Sequence, residues 1–172
     1  MSEPKSVIPF EGELPRLAEN VFIADTARVI GDVEIGEQSS LWYGVVARGD
    51  VEKIRIGQRT NIQDGTVVHV SSEGLGTFIG SDVTVGHMAL LHACTVGDGA
   101  FVGMMAGVMD GAVIEPGAMV AAGALVTPGK RVLSGQLWSG RPAKYWRDLT
   151  DSDLAEMRQS AARYVELAGK YL

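Results

Sequence analysis

A six-residue beat constrains this chain more than any other feature. From Val96 the sequence reads VGDGAF, VGMMAG, VMDGAV, IEPGAM and VAAGAL, and then reaches Val126. An aliphatic residue returns at Val96, Val102, Val108, Ile114, Val120 and Val126, and a small one follows each of the first five, at Ala100, Ala106, Ala112, Ala118 and Ala124. Upstream the beat passes through Ile23, Val29, Ile35 and Leu41, then Ile56, Ile62 and Val68, then Ile79, Val85 and Leu91. Neither a helix nor the alternation of a simple strand has such a period. Short strands joined by tight corners do, with the aliphatic residue pointing into a narrow core and the small residue at the crowded corner. Three units then make one triangular coil, and coils stack as parallel strands about 4.7–4.9 Å apart. The 22 glycines, in a chain that is neither collagen-like nor of low complexity, suit many regularly spaced corners.

The beat covers roughly residues 21–127 and is interrupted twice. "VEKIR" (51–55) delays Ile56, and "SSEGLGT" (71–77) puts about five extra residues between Val68 and Ile79. Loops projecting from a rigid scaffold often border functional sites. After Pro128 the character changes. Thr150 and Asp151 are helix-capping residues, and Leu154, Met157, Ala161, Tyr164, Val165 and Ala168 form one apolar helical stripe. The expected organisation is an N-terminal extension and repeat domain over residues 1–148, with a helix over 149–172 packed on it.

The net charge of -6 argues against a nucleic-acid partner, which needs clustered Lys and Arg. No apolar run is long enough to span a bilayer, and "MSEPKSVIPF" lacks the basic and apolar regions of a secretory signal. A single cysteine, Cys94, rules out an intrachain disulfide and fits the reducing cytoplasm as a small core residue.

The chain has three histidines, His69, His87 and His92. Removing the five-residue bulge from the interval between His69 and His92 leaves three hexads, or one coil. The two should therefore stand one above the other on the same wall, close enough to share a metal. His87 belongs to a neighbouring wall, with its backbone roughly 15 Å from that of His92 if the chain is extended. In a C3 trimer the wall carrying His87 can face the wall carrying His69 and His92 of the next copy, giving three equivalent sites at interfaces. Three imidazoles with an open position match catalytic zinc, which acidifies a bound water to a pKa near 7; iron and cobalt accept the same ligands. Taken singly, each histidine also suits a structural or surface role.

"ARGDVEKIRIGQRTNIQDGTVVHV" (47–70) together with "GHMALLHAC" (86–94) resembles the γ-class carbonic anhydrases of the hexapeptide-repeat family through nearly the whole chain. The resemblance implies a left-handed parallel β-helix and a homotrimer that binds zinc between subunits through His69, His87 and His92. It implies that Gln63 and Asn61 orient the bound water and substrate. It also implies that Arg48, Asp50 and Asp64 pair across the interface and support the site. The reaction implied is reversible hydration of carbon dioxide to bicarbonate. Chemistry allows simpler roles as well: Arg48 with Asp50 suits a structural ion pair, and Asn61 and Asp64 suit corners. Val51 stands where the archetypal enzymes carry a glutamate after the Arg-x-Asp triplet, so Glu73 is the acidic loop residue left to transfer a proton. Competing readings are an acyltransferase or a thioesterase acting on acyl-CoA, and a catalytically weak trimeric scaffold whose metal is structural.

Overall fold

The hexads wind into a three-walled prism in the computed structural model, which describes residues 6–172; the first five residues of the expected N-terminal extension lie outside the described residues. The first wall stacks Val67–His69, Leu90–His92, Gly107–Val108 and Leu125–Val126 in parallel register. Thr77–Ile79, Thr95–Val96, Val113–Ile114 and Arg131–Val132 make the second wall. The third runs from Phe22–Ile23 to Gln136–Gly140, where the antiparallel strand Ala143–Asp148 closes it. This is the mainly β, left-handed parallel β-helix of hexapeptide repeats with a C-terminal helix.

The beat residues fill the interior. Val102, Val108, Ile114, Val120 and Val126 have no exposed surface, and the small residues Ala100 to Ala124 are equally buried beside them. Each such aliphatic side chain contributes on the order of 1.5–3 kcal/mol by leaving water. Ile23 alone is only partly buried, because its coil lies near the prism's end.

Two sequence expectations change. The solenoid does not stop near residue 127: Pro128 sits in a corner, and Arg131–Val132 and Gln136–Gly140 continue the parallel stack, with Val132 fully buried. "VEKIR" is not a projecting loop. It belongs to one long strand, Val46–Ile56, which pairs with Arg28–Ile35 and shifts register between Gly31 and Val33. A side chain on Gly49 would meet the Asp32 carbonyl oxygen at 2.7 Å. Glycine there lets the two strands bend closely together and carries Asp50 to the edge of the first wall.

The helix, Asp151–Ala168, begins with a capping box between Thr150 and Asp153. Arg147 donates two hydrogen bonds to Asp153, at 2.6 and 3.0 Å, tying the helix to the closing strand. Met157, Ala161 and Ala168 of the expected stripe are buried. The helix covers Ser40–Leu41, Asn61–Ile62 and Thr84–Val85 on the third wall, so Ser40, Asn61 and Thr84 are buried although they are polar. No described helix is long and apolar enough to cross a membrane.

Candidate metal centre

Coil stacking brings His69 and His92 together. They are direct partners across the parallel pair, 23 residues apart, and His69 Nδ1 lies 3.2 Å from His92 Nε2. The other nitrogen of each ring is held by a carboxylate. His69 Nε2 donates to Asp50 Oδ1 at 3.1 Å, and His92 Nδ1 donates to Asp110 Oδ1 at 2.7 Å. An ionised carboxylate only accepts, so each neutral imidazole carries its proton on the outer nitrogen. The two inner nitrogens therefore face each other as lone pairs. A metal ion placed there could take both lone pairs.

The separation suits a metal. Two nitrogen ligands at about 2.0–2.1 Å from a tetrahedral ion stand roughly 3.3 Å apart. Carboxylates behind metal-binding imidazoles fix tautomer and ring orientation, as Asp50 and Asp110 do here. Asp50, His69, His92 and Asp110 form a ladder up one edge of the prism, one residue from each of four successive coils. Burial opposes ionisation of Asp50, but hydrogen bonds from His69 and Arg48 prevail and hold its carboxyl below the usual range. Arg48 makes this contact within its own strand.

His87 occupies the corner that leads from Thr84–Val85 of the third wall into Leu90–His92 of the first, not a wall strand. It precedes the strand that His92 ends. Its Nδ1 lies 2.9 Å from Asp64 Oδ2, which again leaves one ring nitrogen free. No group of three or more His, Cys, Asp or Glu side chains is placed to hold one metal ion among the described residues of a single chain. Around His87 the surface is apolar: Met88, Met104 and Met105 are exposed, as are Val67 and Leu90 on the first wall.

Gln63 and Asn61 lie on the His87 side. Gln63 lines a cavity of about 370 Å³ with His87, Phe101, Met104, Met119 and Tyr164. Its Nε2 donates to Asn61 Oδ1 at 3.0 Å. Burial, with Asp64 nearby, pushes the Tyr164 phenol up, so it stays protonated. Glu73 is exposed on the loop that leaves the His69 strand, where Ser71 and Leu75 form an isolated bridge. Val51 is exposed too. Cys94 is buried, its thiol pushed up to about 12 by desolvation, which removes it as a nucleophile.

Asp110 was not among the residues expected from sequence. The signal was partial: Leu91 pairs with Val108, so the coil spans 17 residues here and Asp110 lies one place beyond the position opposite His92. The same stacking explains why Asp64 reaches His87.

No protein-family model matches the chain. A "Carbonic anhydrase" of Geobacillus kaustophilus is 47% identical over 165 residues, covering 96% of this chain and 90% of that protein. The chain belongs to the γ-class carbonic anhydrase family. "Gamma carbonic anhydrase 2, mitochondrial" of Arabidopsis thaliana is 50% identical over 98% of this chain, which spans 62% of that longer protein. A crystal structure of a hexapeptide transferase family protein from Anaplasma phagocytophilum, 52% identical, superimposes with a TM-score of 0.93 over 96% of this chain and 98% of that one.

Proposed function

We propose that this γ-class chain, assembled as a homotrimer, reversibly hydrates carbon dioxide to bicarbonate at a zinc ion shared between copies. His69 and His92 of one copy and His87 of the next would hold the ion; iron or cobalt would suit the same donors. When bound, the ion supplies the Lewis acidity that brings a water's pKa near 7. The observation that carries this reading is the pair of inward lone pairs 3.2 Å apart, each imidazole locked from behind by a carboxylate.

The chain's own residues do the rest. Asp50, Asp110 and Asp64 each engage one nitrogen of an imidazole and leave the other free. Arg48 holds Asp50, and Gln63 with Asn61 orients the attacking water and the substrate. The exposed apolar surface of Val67, Met88, Leu90 and Met105 supports burial against a second copy. With Val51 unable to carry a proton, release falls to Glu73 or to buffer, and turnover is limited by that step. A free buried Cys94 agrees with a cytoplasmic setting.

The test is carbon dioxide hydration by zinc-loaded protein beside His92→Ala. Activity in the first and its loss in the second is expected. Equal inactivity of both would remove the assignment, and turnover of acetyl-CoA that survives chelation would favour acyl transfer.

A further inference from the structure

The outer face of the third wall is polar where the helix covers it and apolar where the helix leaves room. One register runs up that face through Ser40, Asn61, Thr84, Phe101, Met119 and Leu137, each the direct partner of the next. The helix packs most closely on the strands of Ser40, Asn61 and Thr84. Beside the next three strands lies the cavity of about 370 Å³, with Phe101, Met119 and Leu137 along its wall and Ser160 and Tyr164 on the helix side. Phe101 and Met119 are left half-buried there. Packing of the helix alone would select the reverse order, because an apolar side chain gains most where it is fully covered.

The cavity begins at the metal centre. Carrying the register of Val85, Val102 and Val120 two places onward stacks His87, Met104 and Ala122 at the corner, and all three line it. From Phe101 to Leu137 its apolar wall rises about 10 Å, two strand spacings. The volume is that of roughly a dozen waters at about 30 Å³ each, so carbon dioxide fills a small part of it. Small-molecule sites have this size and this mix, mostly apolar with a few polar groups. None of the described residues that line it is Lys, Arg, Asp or Glu. A phosphate-bearing carrier finds no partner there.

We propose that this cavity is a subsite for the apolar tail of an aliphatic monocarboxylate whose head lies at the His87 end, with Phe101, Met119 and Leu137 as its specificity-determining residues. Replacing the hydroxyl of bicarbonate by an alkyl chain gives a carboxylate, so the head asks nothing new of the metal centre. The placing of the head rests on the zinc reading above; the apolar wall does not.

Titration of the zinc-loaded, full-length protein with acetate, butanoate, hexanoate and octanoate tests this, read by NMR of ¹³C-methyl methionine. Of the described methionines only Met104 and Met119 line the cavity, and Met104→Leu and Met119→Leu assign their signals. Both should shift with hexanoate and octanoate, and affinity should rise about threefold to fourfold for each added methylene, the effect of burying one. Acetate should leave Met119 unmoved. Ala122→Trp, a change at an exposed corner, should block octanoate and spare acetate. An affinity indifferent to chain length, or equal shifts at Met88 and Met105 outside the cavity, overturns the subsite. So does a Met119 signal that octanoate leaves unmoved, as when a neighbouring copy fills the space. Carbon dioxide hydration without the chain-length series would overturn this inference alone. The series without hydration would remove the zinc reading and leave the subsite standing.

Discussion

The first and second walls of the prism are built from the same repeat, yet their outer faces have opposite character. The first exposes Val67 and Leu90, is flanked by Met88 and Met105, and carries the imidazole pair along one edge. The second is laced with ion pairs, Arg16 with Glu34, Arg55 with Asp32 and Arg131 with Glu115. The third is covered by the helix. Inward residues answer to the core and are nearly interchangeable between walls, whereas outward residues report what each wall meets. The second pairs its charges within one chain, although Phe78 is as exposed there as Val67 is on the first. The first is apolar and bears an imidazole pair whose inner nitrogens face each other.

The sharpest way to break this contrast is Leu90→Asp, which puts a charge in the middle of the apolar face. Light scattering should show assembly abolished, with zinc binding lost along with it, while circular dichroism retains the β-helix signal. A trimer that survives the charge would mean that the first wall is not the interface. Next comes Asp110→Asn, which keeps the shape but weakens the acceptor behind His92. Zinc affinity should fall by about 10–100-fold, the usual effect of such a partner, as read by competition with a chelating dye.

A smaller effect belongs to the third wall's cover. Hydrogen bonds from Arg147 and Thr150 hold the Asp153 carboxyl well below its ordinary value. A depressed carboxylate stabilises the fold fully above its unfolded pKa, about 3.9, and that contribution is lost as pH falls below it. Helix signal and thermal stability should therefore decline on acidification below about pH 4, and Asp153→Asn should show the lowered stability already at neutral pH. A neutral-pH melting curve unchanged in Asp153→Asn would contradict the capping role. Smallest of all is Arg131→Ala on the second wall: the pair with Glu115 is exposed, and the melting temperature should not move.

Much of this was legible in the sequence, because a six-residue period converts sequence distance into height on a wall. That arithmetic aligned His69 with His92, but one coil further the position opposite His92 is Met109, because the beat loses a residue between Leu91 and Val96, and Asp110 is the residue after it. Pro128 misled because proline usually ends a strand, whereas here it fills a corner that asks for no amide. "VEKIR" misled because a register shift inside a long strand looks, in sequence, like a loop. The hydrogen bond from the third wall to the helix was not legible: Thr84 and Ser160 are 76 residues apart, and no period relates a helix to the coil it covers. Asn61 and Gln63 could be recognised as polar neighbours on one strand, but the direction of their amides depends on Val83 O, a backbone atom with no trace in the side-chain pattern.

The central claim is that a metal site forms only between chains, and mixing two defective chains tests it directly. His87→Ala keeps the pair on the first wall, and His92→Ala keeps the corner histidine. Each expressed alone should bind no zinc tightly. Co-expressed and purified as mixed assemblies by two different tags, they should bind one zinc ion per mixed trimer, because a single interface then joins an intact pair to an intact His87. Mixed trimers as empty of zinc as either parent would contradict the account.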